Sequence, residues 1–388
     1  MAGDLVIYSN AADPAPKAAF ETLVKDFETA NPDIKVKLTL FDAENYKTTI
    51  RNFLSAEAPD VANWYAGNRM KPFVDGGLLE PVDDVWAENK LDDQLKSAAA
   101  SMTVDGKKWG VPYTYYQWGI YYRKDIFNQL GIAEPRTWEE FKAAGAKLKA
   151  NGVTPLTIGT KFPWTTAGVF DYLDLRTNGF DFHNDLTAGK IAWTDERVRK
   201  TFANWKELLD AGFFIENHTA YGWQEALAPM IQGTAAMYLM AHFCVPPLRE
   251  AGITGDKLGF FQFPEISPDI PMAEDAPTDS LHIPARAKNK TDAKKFLAYV
   301  ARPDVQTRLN AGLGQLPVNS GSTVADDPFL QAGFKMLANA AGLAQFFDRD
   351  SPPEIAQAGT EAFQEFMVKP DRLDALLERM ERVRKKAY

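Results

Sequence analysis

The strongest constraint on the fold comes from the first part of the chain, where the spacing of apolar residues changes twice. Leu5–Tyr8 is a short apolar run closed by turn-forming residues and prolines, which is typical of a buried strand. Ala18–Ala30 then carries apolar residues at helical spacing, and Ile34–Leu40 alternates between apolar and polar residues. A strand, a helix and a strand in that order are the building unit of a parallel sheet covered by helices. The sequence therefore predicts an α/β fold.

The same pattern continues along the chain without an internal repeat or a low-complexity linker. Thr154–Ile158 and Thr234–Leu239 read as further strands, and Thr137 with Glu140 predicts a capping box at the start of a helix. The final third is mostly helical in pattern. We expect more than one compact lobe, joined by short crossings of the chain, and such crossings favour hinge closure over free tumbling.

Composition excludes several classes of protein. A length of 388 residues suggests two or three domains, at roughly 150 residues each. The net charge of -9 argues against nucleic acid and anionic membranes as partners, since both attract an excess of Lys and Arg. The single cysteine, Cys244, excludes an intrachain disulfide and a cysteine-based zinc site. Apolar stretches such as Gly233–Val245 are shorter than the ~20 residues of a membrane span.

Motifs for catalysis are missing from the sequence. The histidines His183, His218, His242 and His282 are dispersed. There is no HExxH, GxGxxG, GxxxxGK[ST] or GxSxG pattern, so no catalytic residue, metal site or cofactor is predicted. A carbohydrate-active enzyme, either a glycoside hydrolase or a lyase, stays open as an alternative. The 52 acidic residues offer many chance pairs, and their spacing in space is not readable from sequence.

Several segments, in order along nearly the whole chain, resemble one family: the bacterial extracellular solute-binding proteins of carbohydrate ABC importers, the group that includes maltose-binding protein. The segments that carry the resemblance are Leu5–Asn10, Asn31–Val36, Ala58–Val61, Phe73–Pro81, Trp109–Pro112, Tyr121–Asp125, Gly233–Met237, Ile283–Ala285, Ala293–Leu297 and Leu316–Val318. The resemblance implies a type II periplasmic-binding-protein-like fold, with two α/β lobes, a hinge and a ligand cleft between the lobes. Mapped onto this chain, the lobes are 1–110 plus 262–312, and 111–261 plus 313–388.

The resemblance also implies a function without catalysis. Such a protein captures a sugar by hinge closure and delivers it to the transmembrane permease of an ABC importer. We expect a monomer that needs no cofactor and binds no nucleic acid. The expected location is the periplasm, or the cell exterior if the precursor is a tethered lipoprotein. Met1–Asp4 lead straight into the first strand, so we interpret the chain as a mature exported protein restarted with a new Met.

Sugars present hydroxyls at their edges and C–H groups on their faces, so their sites combine paired polar groups with flat aromatic rings. The resemblance places ligand contacts on loops after strands, where open α/β sheets bind their ligands. The candidate ligand-binding residues are Ser9, Asn10, Asp42, Glu44, Trp64, Asn68, Tyr116, Lys161, Trp164, His242, Phe243, Thr278, Asp279, Phe347, Asp348 and Arg349.

Structural roles compete with the ligand role at several of these positions. Asp42 is equally suited to cap a helix, and His242 to be a satisfied histidine in packed surroundings. Trp64 occupies the place of the family's stacking tryptophan. In the aromatic run Pro112–Tyr122, alternation along one strand would place Tyr116 and Trp118 on the same side.

The ligand itself stays open at this stage. The aromatic residues do not match those of maltose-binding protein one for one. Lys161 and Arg349 add positive charge. A neutral mono- or oligosaccharide, a polyol and an acidic sugar derivative are all compatible with this set of residues.

Overall fold

The structure is a computed structural model that describes residues 4–388, apart from the side chain of Glu44. The proposed new N-terminal Met and the predicted ligand contact of Glu44 therefore lie outside the described residues. The chain forms two compact units, each made of two stretches: unit 1 is Met1–Tyr116 with Pro277–Asn339, and unit 2 is Gln117–Ala276 with Ala340–Tyr388.

The chain passes from one unit to the other after residues 116, 276 and 339. The crossings expected from the sequence lie earlier, after residues 110, 261 and 312. For the first and the third crossing the difference has a local cause, because the chain leaves unit 1 only after completing a strand that ends at Tyr115 and a helix that ends at Ala338.

Thirteen strands and nineteen α-helices are numbered here in chain order over the described residues. The strands are β1 Leu5–Ser9, β2 Val36–Leu40, β3 Val61–Tyr65, β4 Thr103–Val104, β5 Lys107–Lys108, β6 Val111–Tyr115, β7 Trp118–Arg123, β8 Thr154–Thr157, β9 Ala235–Ala241, β10 Leu258–Phe261, β11 Glu274–Asp275, β12 Thr278–His282 and β13 Leu343–Ala344.

The helices are α1 Pro14–Ala30, α2 Ala43–Ser55, α3 Lys71–Asp75, α4 Asp83–Glu88, α5 Leu91–Gln94, α6 Lys96–Ala99, α7 Lys124–Leu130, α8 Trp138–Ala150, α9 Thr165–Thr177, α10 Phe180–Thr187, α11 Glu196–Asp210, α12 Leu227–Gln232, α13 Val245–Glu250, α14 Lys290–Val300, α15 Pro303–Leu313, α16 Pro328–Ala338, α17 Phe347–Asp350, α18 Pro353–Val368 and α19 Leu373–Ala387.

Unit 1 is built on a five-stranded sheet in the order β2-β1-β3-β12-β6. Strand β1 is parallel to β2 and β3, whereas β12 is antiparallel to both β3 and β6. The opening β1–α1–β2 unit is the one predicted from the sequence. Helix α1 buries Phe20, Leu23 and Phe27, which lie on one face at helical spacing.

Unit 2 is built on a four-stranded sheet in the order β10-β7-β9-β8. Strand β8 is parallel to β9, and β7 is antiparallel to β9 and β10. The central β9 is buried at every residue, as expected for a strand covered on both faces. Helix α8 begins with the predicted capping box, in which the Thr137 side chain accepts from the Glu140 N–H. The capping box therefore positions the start of α8 as the sequence predicts.

The aromatic run that the sequence suggests as one strand is two strands in the structure. β6 ends at Tyr115 and β7 begins at Trp118, and the two intervening residues carry the chain from unit 1 into unit 2. The alternation argument that placed Tyr116 and Trp118 on the same side of a strand is therefore wrong, because it requires a continuous strand. No helix within residues 4–388 is both long and apolar enough to cross a membrane.

Candidate functional site

In unit 1, the predicted polar residues meet at one edge of the sheet. The parallel pairing sets Ser9 of β1 beside Leu40 of β2, so both strands end at this edge. The antiparallel pairings set Asp279 opposite Tyr65, and Thr278 opposite Tyr115, so β12 begins where β3 and β6 end. The edge therefore collects the predicted residues Ser9, Asn10, Asp42, Asn68, Tyr116, Thr278 and Asp279.

Several of these polar groups already serve local structure. The Ser9 hydroxyl is buried and accepts a hydrogen bond from the Ala11 N–H at 3.3 Å. The Asn10 N–H donates to Asn63 Oδ1 at 2.9 Å, and the Asn10 side chain is half-buried. Asp42 is exposed, and its Oδ1 accepts from the Asn45 N–H at 3.0 Å. That contact is a helix cap, so Asp42 supports the start of α2.

Trp64 lies in the aromatic core of unit 1. Only 4% of its surface is exposed, and its Nε1–H donates to the Arg69 carbonyl at 3.1 Å. Its ring centroid is 6.3 Å from that of Tyr46 and 5.4 Å from that of Phe73. Packing and this hydrogen bond fix the position of Trp64, and its role as the stacking tryptophan stays a prediction. Neighbouring Asn68 and Tyr116 are half-buried.

In unit 2, a second group of predicted residues meets at the corresponding edge of the other sheet. Because β8 and β9 are parallel, the loops that follow them start at the same edge. Lys161 and Trp164 follow β8, whereas His242 and Phe243 follow β9. Strand β7 begins there too, since Trp118 pairs with Ala241.

Five rings at this edge form a cluster that we call the aromatic platform: Trp118, Trp164, Trp223, Phe243 and Phe346. Phe346 stacks on Trp118, with ring centroids 4.6 Å apart and planes 23° apart. Trp164 lies 6.3 Å from both Trp118 and Phe243, and Trp223 lies 5.0 Å from Phe243. Trp118 and Phe346 are buried, Trp164 and Trp223 are half-buried, and Phe243 is 38% exposed. The platform thus has a buried back layer and an accessible front.

Charged and polar side chains border the platform. The exposed Lys161 places its ammonium 5.9 Å from the ring centroid of Phe162, which is itself 60% exposed. His242 is buried, with Nδ1 3.3 Å from Gln117 Nε2, and its N–H donates to the Gln117 carbonyl at 3.2 Å. These bonds match the alternative of a satisfied histidine in packed surroundings.

The segment Phe347–Arg349 is split between core and surface. Phe347 is fully buried in a second aromatic group, with its ring centroid 5.8 Å from that of Trp193 and 5.1 Å from that of Phe363. The ring that reaches the platform is Phe346, one residue earlier, and the predicted ligand contact of Phe347 stays a prediction. Asp348 and Arg349 are half-buried in the short helix α17.

Sequence reasoning missed Trp223 and Phe346 and left Trp118 undecided between ligand and hinge packing. Trp223 lies outside any strand or helix, and Phe346 lies between a two-residue strand and a four-residue helix. Neither segment is long enough to show a periodicity, so no pattern indicates the direction of these rings. Trp118 had a signal, because it begins a strand within an aromatic run.

Within residues 4–388, the buried titratable groups form no metal centre. No group of three or more His, Cys, Asp or Glu side chains in residues 4–388 is arranged to hold a metal ion. His282 Nε2 lies 2.7 Å from the Ser280 hydroxyl, but burial lowers the His282 pKa to about 4. Burial likewise raises the pKa of the Cys244 thiol, which disfavours the reactive thiolate.

Comparisons with known proteins agree with one another. The model of the bacterial extracellular solute-binding protein family matches residues 11–307. An uncharacterised ABC transporter extracellular-binding protein of Pyrococcus horikoshii is 26% identical over 346 residues, covering 87% of this chain and 77% of that protein. A multiple sugar-binding protein of Streptococcus mutans is 26% identical over 289 residues, covering 73% of this chain and 68% of that protein.

Among solved structures, the bacterial solute receptor AcbH superposes with a TM-score of 0.92 at 29% identity, covering 99% of both chains. Its reported substrate preference is exclusive for β-D-galactopyranose. A chitin oligosaccharide binding protein superposes with a TM-score of 0.79 at 23% identity, covering 99% of this chain and 98% of that chain. The predicted fold class, that of the type II periplasmic solute-binding proteins, is confirmed.

Proposed function

Because the chain belongs to the bacterial extracellular solute-binding protein family, we propose that it is the sugar receptor of an ABC importer and that the sugar binds against the aromatic platform of unit 2. Proteins of this family bind solutes and do not transform them, so the protein is a receptor and not an enzyme. The carbohydrate-active enzyme left open by the sequence lacks support from the family and from the structural neighbours.

The observation that carries the proposal is the accessible front of the platform. Phe243 is 38% exposed and Trp164 is half-buried, and both rings lie at the edge where β8 and β9 end. Aromatic faces bind the C–H faces of sugars, and large apolar rings are costly to leave in water. The buried Trp118 and Phe346 hold the front rings from behind.

D-galactose is the first ligand to test, because AcbH shares both the fold and 29% of the sequence. A monosaccharide also suits a front of two or three rings. Polyols, oligosaccharides and sugar acids are the comparison ligands, since Lys161 is exposed beside the platform and can attract a carboxylate.

The polar edge of unit 1 supplies candidate partners for sugar hydroxyls. Asn10, Asn68 and Asp279 are half-buried, and their amide and carboxylate groups can each bond two neighbouring hydroxyls. Glu44, Asp348 and Arg349 remain candidates on the sequence argument. Asp42 is a weaker candidate, because it already caps α2.

Hinge closure and delivery to a transmembrane permease are the remaining parts of the proposal, and both are implied by the family. We propose a monomer in the periplasm, or a lipid-tethered protein outside the cell. A sugar shifts an open protein to a closed one only through contacts it gains on closure, and a shift from 1:99 to 99:1 requires about 5.5 kcal/mol. Small-angle scattering with and without sugar measures this compaction.

The binding test is calorimetry and thermal unfolding against D-galactose, D-glucose, D-xylose, maltose, galactitol and D-galacturonate. Binding at a ligand concentration of about 100 times the Kd stabilises the folded protein by about 2.7 kcal/mol. We expect one of these sugars to bind in a 1:1 ratio and to be recovered unchanged. Turnover of a sugar or glycoside would contradict the receptor function.

Substitutions in the aromatic platform test whether the sugar binds there. Trp164→Ala should weaken binding about 30-fold with little change in Tm, because a half-buried ring is removed without opening the core. Val368→Ala is the matched control, since Val368 is 53% exposed on α18 and is not a platform residue. Unchanged affinity in Trp164→Ala would remove the platform from the binding site while leaving the receptor function standing.

A further inference from the structure

Behind the platform, helix α9 carries a buried carboxyl group that sugar contact does not explain. Asp171 is fully buried, and its Oδ2 accepts a hydrogen bond from the Phe347 N–H at 2.9 Å. Phe347 directly follows Phe346, the ring that stacks on Trp118. A single side chain of α9 thus fixes the backbone on which a back-layer ring of the platform stands.

The neighbour of Asp171 is a second buried carboxyl group, that of Asp275 on β11. Asp275 is fully buried, and neither of its oxygens accepts a hydrogen bond from an N–H or hydroxyl donor of residues 4–388. It faces the side chain of Asp171, whose Oδ1 also accepts no hydrogen bond from such a donor, and the two carboxyl groups can bond to each other when one of them is protonated. Two carboxyl groups can form that bond only if one of them carries a proton, since two ionised groups in contact without water repel each other.

The elements packed around α9 bring more buried acids than bases to this place. His183 of α10 points Nδ1 at Asp174 Oδ2, 2.8 Å away, and Nε2 toward Asp171 Oδ1, 3.5 Å away. On the other side, Arg176 is paired with Glu274 at 2.7 Å. Asp348 and Asp350 of α17 act on Asp275, and α17 also carries Arg349; Arg197 of α11 interacts with Asp174.

We propose that Asp171 and Asp275 share one proton, and that this proton-sharing pair holds the Phe346–Asp350 segment in place, which makes Asp171 a positioning residue for the platform. The inference deepens the proposed function and rests on it only for the effect on sugar affinity. The effect on the segment itself is independent of any ligand.

The expected pH dependence of stability follows from the direction in which the pKa values of Asp171 and Asp275 are shifted. Burial raises the pKa of both Asp171 and Asp275 well above the usual range, and their mutual repulsion adds to the effect for Asp171. In the unfolded chain each Asp loses its proton near pH 3.9. The folded state therefore binds more protons than the unfolded state above that pH. The stability of unit 2 falls as the pH rises from about 4 toward the raised pKa of the pair.

The first experiment needs no sugar. Hydrogen exchange of the Phe347 amide, expressed as a protection factor to remove the intrinsic effect of pH, is measured from pH 6 to pH 9.5. Protection in the unchanged protein should fall at least tenfold over this range. Asp275→Asn should keep its protection, because an amide N–H can replace the shared proton and cannot ionise. An equal fall in both proteins, or no fall in either, would overturn the proposal.

The second experiment measures D-galactose affinity by calorimetry at pH 7. Asp171→Asn keeps an oxygen for the Phe347 N–H and should bind within about twofold of the unchanged protein. Asp171→Ala loses that acceptor and should bind about tenfold more weakly. Thr201→Val is the control, since Thr201 donates to Asp174 at 2.7 Å in the same cluster but does not touch Phe347. It should lower Tm without changing affinity.

The two experiments fail separately. Absence of D-galactose binding in the unchanged protein would count against the proposed ligand, and the exchange experiment would still decide on the proton-sharing pair. Equal affinity in Asp171→Ala, Asp171→Asn and the unchanged protein would show that Asp171 does not position the platform. If Asp171→Ala does not fold, the exchange profile of Asp275→Asn still decides.

Discussion

Unit 1 and unit 2 bury their polar groups in different chemical forms. The buried polar network of unit 1 is made mainly of amides and hydroxyls, which do not titrate. The network around α9 in unit 2 is built mainly on the carboxyl groups of Asp171, Asp174, Glu274 and Asp275, with Arg176 and His183. Neutral amides keep their hydrogen bonds at any pH that leaves the protein folded, whereas ionised groups tie stability to pH.

In unit 1, two amides of α15 attach that helix to β6. The Gln306 Nε2 donates to the Pro112 carbonyl at 3.0 Å, and the Gln306 Oε1 accepts from the Val318 N–H at 2.9 Å. The Asn310 Nδ2 donates to the Tyr113 carbonyl at 2.9 Å. The buried Asp60 is an ionisable exception, and its carboxylate accepts three backbone N–H groups. Backbone carbonyls therefore accept from the two amides, and backbone N–H groups donate to Gln306 Oε1 and to the Asp60 carboxylate.

In unit 2, Arg176 and Glu274 form an ion pair that is 1% and 0% exposed. Arg176 also donates to the Phe263 carbonyl at 3.1 Å, and Glu274 accepts from the Tyr172 hydroxyl at 3.0 Å. Glu274 precedes Asp275 and lies two residues before the crossing into unit 1 at Ala276. Unit 2 thus stabilises the segment before its crossing with a buried ion pair. Unit 1 instead attaches β6, the strand before its crossing, to α15 through neutral amides.

The largest effect should come from breaking the ion pair of unit 2. Arg176→Met leaves the Glu274 carboxylate buried without its cation, and we expect the free energy of unfolding of unit 2 to fall by about 3 to 5 kcal/mol. Urea unfolding, followed with segment-resolved hydrogen exchange, measures the loss. Lys206→Ala, which breaks the exposed pair with Asp210, should leave stability close to that of the unchanged protein. An equal loss in both variants would contradict the contrast between buried and exposed charge.

Acid provides the next test, because unit 1 has one buried histidine that breaks its neutral pattern. Burial lowers the pKa of His282 to about 4, below its unfolded value of ~6.5. The stabilisation is therefore present above pH 6.5 and lost as the pH falls toward 4, and its size is about 3 kcal/mol.

Exchange of the β12 and β6 amides at pH 7 and pH 4.5 checks this loss, with His282→Gln as the variant whose response to pH should be flat. If amide exchange in the unchanged protein and in His282→Gln depends on pH to the same extent, a group other than His282 causes the loss of stability in acid. Over part of this range the stability of unit 2 should instead rise as the pH falls, because the raised pKa values of Asp171 and Asp275 let the folded state bind more protons than the unfolded state.

Breaking the neutral amide network of unit 1 should lower the free energy of unfolding by a smaller amount. Asn310→Ala removes the acceptor of the Thr114 hydroxyl, 2.6 Å away, and the donor to the Tyr113 carbonyl. We expect a loss of about 2 kcal/mol, mainly because the Tyr113 carbonyl loses its donor, while the Thr114 hydroxyl keeps Gln315 Oε1 at 2.8 Å. The loss should not depend on pH between 5 and 9. Denaturant unfolding at three pH values measures both. A loss that varies with pH would refute the neutral character of this network.

The smallest effect concerns the polar edge of unit 1. Asp42→Ala removes the cap of α2 and should cost about 1 kcal/mol, while Asp42→Asn keeps an oxygen for the Asn45 N–H and should cost less. Sugar affinity should stay within about twofold in both variants if capping is the main role. A strong loss of affinity at unchanged Tm would instead place Asp42 among the ligand contacts.

The local elements were predictable where a periodicity or a cap is long enough to read. The β1–α1–β2 unit and the capping box of α8 are at the predicted places, within a few residues at the ends. The candidate polar residues of unit 1 were predicted from their places at strand ends: Ser9, Asn10 and Asp42 follow a strand, whereas Thr278 and Asp279 precede one in the sequence pattern and begin β12 in the structure. The prediction erred where one aromatic run spans two units and forms two strands, and the sequence did not single out Phe346 from its neighbour Phe347.

The sequence by itself determined the α/β class, the order of strands and helices, and the residue types available for a sugar. Those properties depend on side-chain periodicity and local hydrogen bonding, which neighbours along the chain control. Only the tertiary structure decided which rings form the platform and which carboxyl groups meet in the core. Asp171, Asp275 and Phe347 are far apart in sequence, and their contact depends on how α9, β11 and α17 pack. Burial then changes their chemistry, because the protein interior solvates charge less well than water does.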